Sequence, residues 1–182
     1  MAQDNKWKCG PNAEDQFGNY DKWSNVRYTR SHNIVGTGSI TNCCASDYSS
    51  YFDSFNIDSG ITELSDKCFS KYSVSSVSLP STLIKIGSSC FKNSRITSIH
   101  LPEGLKSIGH DNFPSSLQSL NIPKNIKEFF IDNVAGCSDL KEITVDENNK
   151  FYKAKDGILY NFDMTEILFC PNAKTGDRKS VV

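Results

Sequence analysis

The feature that most constrains this chain is a repeat. Two apolar residues three apart, followed by a third two further on, recur five times: Phe52-x-x-Phe55-x-Ile57, Val74-x-x-Val77-x-Leu79, Ile96-x-x-Ile99-x-Leu101, Leu117-x-x-Leu120-x-Ile122 and Leu140-x-x-Ile143-x-Val145. Their starts lie 22, 22, 21 and 23 residues apart. The rest of each unit keeps phase. Pro80, Pro102 and Pro123 follow three of the five segments. Ile61, Leu83, Leu105 and Ile126 come next, and three residues later Leu64, Ile86, Ile108 and Phe129. Gly87 and Gly109 directly follow two of these, and each unit ends on Cys68-Phe69, Cys90-Phe91, Asn112-Phe113 or Asn133-Val134. A unit this short cannot bury its own apolar face, so neighbouring units must cover one another.

Apolar-x-apolar reads as a strand with one face turned inward. Proline ends that strand where no further ladder donor is needed, and the second apolar pair turns the chain back. The Cys/Asn-Phe segment is too short for a long helix and suits a single helical turn that drops a ring into the core. Units then stack strand on strand about 4.8 Å apart. The expected architecture is a solenoid.

Organisation follows from the repeat. A solenoid's ends expose apolar core and require plugs. Residues 1–51 are expected to form an N-terminal β cap with a hairpin-like pair of short segments and a polar loop over 41–50. Residues 52–145 are the array, about four units plus a fifth strand. Residues 146–171 hold an Asn/Lys-rich connection and a C-terminal capping hairpin, and 172–182, without periodicity, read as a disordered tail.

Composition excludes several classes. Across 182 residues, 20 Lys+Arg against 21 Asp+Glu leave a net charge of −1, whereas a dedicated nucleic-acid binder needs a concentrated basic face. No stretch approaches the ~18 apolar residues of a membrane span. The segment from Met1 to Lys8 lacks the apolar region of a secretory signal, and Val181-Val182 closes no lipidation box. Seven scattered cysteines (Cys9, Cys43, Cys44, Cys68, Cys90, Cys137 and Cys170) do not make a disulfide-stapled mini-domain. No asparagine stands in an Asn-x-Ser/Thr sequon, which points away from a glycosylating pathway.

The L-x-x-L-x-L core places the chain among leucine-rich repeats. The common version carries an Asn or Cys ladder nine residues in, where this chain has Gly60, Thr82, Gly104 and Asn125. The strand-Pro, Ile-Gly and Cys-Phe pattern instead resembles the BspA-like (Treponema-type) leucine-rich repeats. The flanks around Trp7-Lys8-Cys9-Gly10, Val26-Arg27-Tyr28 and Ile34–Ile40 are similar to that family's N-terminal cap. Those around Asp156–Asn161 and Glu166–Pro171 are similar to its closing hairpin. The resemblance implies an α/β leucine-rich-repeat solenoid: a short, curved, right-handed array with one parallel β face and β-hairpin caps at both ends. It also implies a surface or secreted protein, since several family members are exposed on bacteria and parasitic protists and bind host or matrix molecules.

Sites of chemistry are sparse. Gly36-x-Gly38 lacks the following Lys-Ser/Thr of a phosphate loop and reads as a tight turn. Cys43-Cys44 lacks the second cluster of a zinc site. Cys68 and Cys90 share a repeat position on adjacent coils, close to disulfide reach; the resemblance, with small apolar residues at that position, implies buried free thiols over a ladder disulfide, and Cys137 is a position where the family often has an inward Cys. His32, His100 and His110 fall in different repeat phases with no evident partner, so no nucleophile–base pair is signalled. Asp146-Glu147 lies in a polar turn. No catalytic residue, cofactor or metal ligand is expected, and the chain is read as no enzyme.

What remains is the strand face. Ser54, Asn56, Ser76, Ser78, Ser98, His100, Ser119, Asn121, Glu142 and Thr144 flank the inward positions and should form two outward rows on one sheet. Small hydroxyl and amide groups offer many donors and acceptors at little entropic cost. The expected function is therefore a non-catalytic binding module recognising host or matrix protein or glycan through this face, with adhesin-like surface exposure. It would not insert into a membrane or bind nucleic acid; its oligomeric state is open. The competing expectation is an intracellular interaction scaffold, favoured by the missing signal and the unpaired thiols.

Overall fold

A computed structural model describes residues 6–8, 31–35, 37–40, 53–70 and 72–174. Its strands are β1 (Lys6–Lys8), β2 (Ser31–Val35), β3 (Gly38–Ile40), β4 (Ser54–Ile57), β5 (Ile61–Leu64), β6 (Ser76–Ser78), β7 (Lys85–Ile86), β8 (Ser98–Ile99), β9 (Ser107–Ile108), β10 (Ser119–Ile122), β11 (Glu142–Val145), β12 (Tyr152–Lys155), β13 (Ile158–Asn161) and β14 (Ile167–Phe169). One single-turn helix, α1, spans Asp132–Ala135. The chain winds as a parallel β-solenoid.

Each coil contributes a strand to the expected face. β1, β2, β4 and β6 pair in parallel, as do β8, β10 and β11. The register matches the repeat: Ser54 faces Ser76, and Ser98 faces Ser119, which faces Glu142. A second parallel ladder, β3-β5-β7-β9, accompanies it, so the apolar pair that turns the chain back is itself a strand. β6 and β8 lie side by side without ladder bonds, although β7 and β9 are bonded at the same level. The seam shows in the core: Phe55, Ile99, Leu120 and Ile143 are buried, while the equivalent Val77 is only half-buried.

The apolar repeat positions form one continuous core. Pro80, Pro102 and Pro123 are buried, and their carbonyls accept the N–H groups of Leu83, Leu105 and Ile126 at 3.1, 3.0 and 3.3 Å. The strand thus ends in a closed turn rather than with free carbonyls. The Ile-Gly glycines mark where adjacent backbones come closest. A Cβ on Gly87 would stand 2.5 Å from the Asp66 nitrogen, and one on Gly109 2.6 Å from the Ser88 nitrogen.

The aromatic turn is helical only in α1. In the three preceding coils it passes through a left-handed residue, Lys67 (φ 59), Ser89 (φ 57) or Asp111 (φ 53), in the same phase each time. Non-glycine residues reach this region at some cost. Here the reversal aims the next side chain inward, and Cys68, Cys90, Asn112 and Asn133 are all buried. The two asparagines bind the stack. Asn133 Oδ1 accepts the Asn112 N–H at 2.8 Å, Asn112 Oδ1 accepts the Cys90 N–H at 2.9 Å, and Asn133 Nδ2 donates to the Gly109 carbonyl at 2.8 Å.

The two ends differ. The hairpin-like pair expected near the N-terminus is not formed by β1 and β2, which pair in parallel. β2 takes the edge of β4 in register, Ile34 beside Ile57, so this segment adds a coil to both ladders. Burying Ile34 against the array outweighs local pairing. At the other end, β12 and β13 form an antiparallel hairpin extended by β14. Tyr152 Oη accepts the Phe129 N–H at 2.9 Å and donates to the Lys127 carbonyl at 3.4 Å, in place of a next strand. Buried Asn149 donates to the Pro123 and Ile126 carbonyls and accepts the N–H groups of Phe151 and Tyr152. The chain is still fixed beyond residue 172: the Ala173 N–H donates to the Leu140 carbonyl at 3.0 Å. Residues 175–182, like Phe52, Cys9, Gly36 and the Cys43-Cys44 pair, lie outside the described residues.

Candidate functional site: the polar strand face

The alternation of each strand sends one set of side chains inward and leaves its neighbours outside. Asn56, Ser76, Ser78, Ser98, His100, Glu142 and Thr144 are exposed, and Ser54, Ser119 and Asn121 are half-buried. Register brings Ser54 to Ser76 and Asn56 to Ser78 on one side of the seam. On the other side it brings Ser98, Ser119 and Glu142 into one row and sets Asn121 beside Thr144. Asn121 Nδ2 donates to Thr144 Oγ1 at 2.9 Å. His100 lies just past β8. The single sheet expected from the sequence is therefore two hydrogen-bonded sheets meeting at β6 and β8.

A further row, one residue upstream, escaped the sequence reading: Ser75, Thr97, Gln118 and Lys141. It was legible in the same phase. Ser75 Oγ donates to the Asp53 carbonyl at 2.6 Å, and Lys141 Nζ to Gln118 Oε1 at 3.1 Å. Beyond it, Gln118, Ser119, Lys141, Glu142, Asp156 and Lys174 line an open cleft of about 580 Å³ at the C-terminal end of the face.

The histidines need one correction. His110 does have a partner: its Nδ1 lies 2.7 Å from Asp132 Oδ2, and its ring stacks on Phe130 with centroids 3.7 Å apart. Asp132 stands 22 residues on, one coil away, where the repeat period could have located it. Next to it, Lys92 pairs with Asp111. No His, Cys, Asp or Glu group of three among the described residues could hold a metal.

Cys68, Cys90, Cys137 and Cys170 are free thiols, which resolves the Cys68–Cys90 alternative against a bridge. Burial pushes the thiols of Cys90 and Cys137 up from 9.0 to about 11. Such thiols carry little thiolate and are poor nucleophiles. The aromatic anchors missing from the strand face occur on the hairpin, where Phe151 and Phe162 are 41% and 36% exposed beside Met164 and Ile167 at 39% and 43%. The Lys153 ammonium sits 4.7 Å above the Phe162 ring. Among the described residues no helix is long and apolar enough to cross a membrane.

Parallel coils of 21 to 23 residues, an L-x-x-L-x-L strand on each and a shared apolar core define a leucine-rich-repeat protein. The model of the BspA-type leucine-rich-repeat region matches residues 39–162 in six copies, and the chain belongs to that family. The six copies exceed the four units and fifth strand read from apolar spacing, and the match runs from β3 into the hairpin. Among solved structures it is similar to a leucine-rich-repeat protein of Eubacterium ventriosum, at 23% identity and TM-score 0.60 over 79% of this chain and 47% of that one. It is similar also to the pneumococcal vaccine antigen PcpA, at 22% identity and TM-score 0.58 over 79% of this chain and 44% of that one. A Treponema pallidum leucine-rich-repeat protein aligns at 19% identity and TM-score 0.50, over 62% of this chain and 57% of that one. The chain thus spans about half the length of these relatives. Among curated proteins nothing matches it.

Proposed function

We propose that the chain is a non-catalytic protein-binding module that engages its ligand along the polar strand face and is displayed at a cell surface in an adhesin-like role. The carrying observation is the in-register row Ser98–Ser119–Glu142 beside Asn121–Thr144, with Ser54–Ser76 and Asn56–Ser78 across the seam. Small polar side chains on a parallel sheet meet an extended ligand with little ordering cost. β2 carries the sheet of the rows one coil beyond β4, and the hairpin of β12 and β13 with β14 stands at the other end. Family membership supports protein binding, and likeness to a vaccine antigen supports surface display.

The test is a triple variant, Ser76→Glu, Ser98→Glu and Ser119→Glu, run beside the natural chain over arrays of matrix proteins and of glycans. Loss of a protein signal with an unchanged melting midpoint supports the reading. A variant-sensitive signal only among glycans would assign the face to carbohydrate, and no variant-sensitive signal would end the proposal. Antibody labelling of intact and permeabilised cells decides location. One observation favours the second reading, an intracellular scaffold: the four cysteines among the described residues are free, three of them buried, which suits a reducing compartment. Labelling only after permeabilisation would select it.

A further inference from the structure

The cavity at the C-terminal end of the strand face is built by three separate stretches of chain. Its floor is the outward side of β10 and β11, where Ser119 and Glu142 are register partners and Lys141 donates to Gln118 Oε1 at 3.1 Å. Its wall is the turn between β12 and β13, through Asp156 (φ 52) and Gly157 (φ 75). That turn is pinned to the floor, since the Gly157 carbonyl accepts the Ile143 N–H at 3.0 Å. A Cβ on Gly157 would stand 3.0 Å from the Glu142 Cβ, so glycine lets the wall lie against the stem of Glu142. The third side is Lys174, whose ammonium donates to the Asp156 carbonyl while the Ala173 N–H holds the segment to Leu140.

The charges in this cavity are not spent on each other. Among the described residues, the ammonium groups of Lys141 and Lys174 reach only neutral oxygens, and neither forms an ion pair with Glu142 or Asp156. An ammonium has three donors, so each lysine keeps donors for a ligand. A carboxylate accepts through both oxygens, and those of Glu142 and Asp156 have no partner among the described residues. A cleft of about 580 Å³ falls within the range of ligand sites. Two cations and two anions line the one cleft and complement a ligand that carries both signs. A purely acidic or purely basic ligand would meet repulsion from one pair.

We infer that this cavity is a charge-reading subsite for a peptide segment bearing adjacent basic and acidic side chains. The ligand carboxylate lies at Lys141 and Lys174, and its cation at Glu142 and Asp156. The inference rests on the protein-binding reading of the strand face and adds to it the chemistry recognised at one end. The rows of serine and asparagine tolerate many sequences; the cavity would select among them.

Fluorescein-labelled peptides that differ only at a central pair within one Gly/Ser frame provide the test, with Lys-Glu, Lys-Lys, Glu-Glu and Gln-Gln as the pairs. The Lys-Glu peptide should bind the full chain about tenfold more tightly than the other three, the equivalent of one net charge contact. Lys141→Gln with Lys174→Gln should remove that preference at an unchanged melting midpoint. Glu142→Gln with Asp156→Asn should do the same, since asparagine tolerates the left-handed conformation at 156. Equal binding of all four peptides, abolished by the triple strand-face variant, would overturn the subsite and leave the strand-face reading standing. Binding of none would overturn the subsite alone, with the protein arrays left to judge the face.

Discussion

The rings of Phe69 and Phe91 lie one above the other in successive coils, their centroids 5.7 Å apart and their planes 12° from parallel. Phe55 and Tyr72 extend the cluster, with Phe55 centred 5.0 Å from Phe69 and 5.4 Å from Tyr72. Each ring is wall to the ring of the next coil, so the loss of one opens a cavity between two coils.

Phe91→Ala should therefore destabilise the protein by about 3–5 kcal/mol. Ser98→Ala, on the outer face, should stay within about 0.5 kcal/mol of the natural chain. Denaturant melts of the two variants check this, and coincident midpoints would contradict the packing.

The buried asparagines make a second comparison. Asn112→Ala leaves the Cys90 N–H without its acceptor inside the core, a loss of about 1–3 kcal/mol. Asn125, whose amide donates to the Glu103 carbonyl at the exposed surface, should tolerate alanine with little change. Equal melting midpoints for the two alanine variants would show that the ladder contributes nothing.

Glycines separate in the same way. Gly109→Ala drives a methyl into the Ser88 backbone and should cost about 1–3 kcal/mol or more. Gly136, at the end of α1 with φ −86 and open space around it, should accept alanine without loss. Thermal melts at neutral pH distinguish them.

Alkali should act through the thiols. An unfolded cysteine ionises near 9.0, whereas native Cys90 holds its proton to about 11. Above pH 9 the unfolded chain has released a proton that the folded chain retains, so stability falls with rising pH. The contribution is whole below pH 9 and declines up to about pH 11. Stability curves of the natural chain and Cys90→Ala should run parallel below pH 9 and converge above it; parallel curves throughout would refute the burial effect.

The repeat was legible because its signal is one-dimensional. Apolar side chains that must face the core recur at the pitch of a coil, and Leu83, Ile86, Ile96, Leu105 and Leu117 are all fully buried as their phase requires. The exposed rows followed by subtraction. Features that depend on which backbone atoms meet across coils were not legible. The Asn112–Asn133 ladder looks in sequence like a small-or-polar position, and its meaning lies in the N–H groups it satisfies. Parallel pairing of β1 with β2 carries no signal in the sequence, because short alternating segments fit either direction until β4 offers its edge. The cavity at Lys141 and Lys174 joins residues far apart in the chain, and only the pinned turn at Gly157 brings them together.

The unbonded seam between β6 and β8 acts on whatever lies across it. At that level β7 and β9 remain bonded, so the second ladder works as the spine of a book whose covers are the two halves of the strand face. Just upstream of that seam the Arg95 N–H donates to the Val74 carbonyl at 2.6 Å, so the two halves are joined there and lack ladder bonds only between Ser76–Ser78 and Ser98–Ile99. A ligand longer than one half would therefore cross a break in the hydrogen-bonded sheet, with Ser78 on one side of it and His100 on the other.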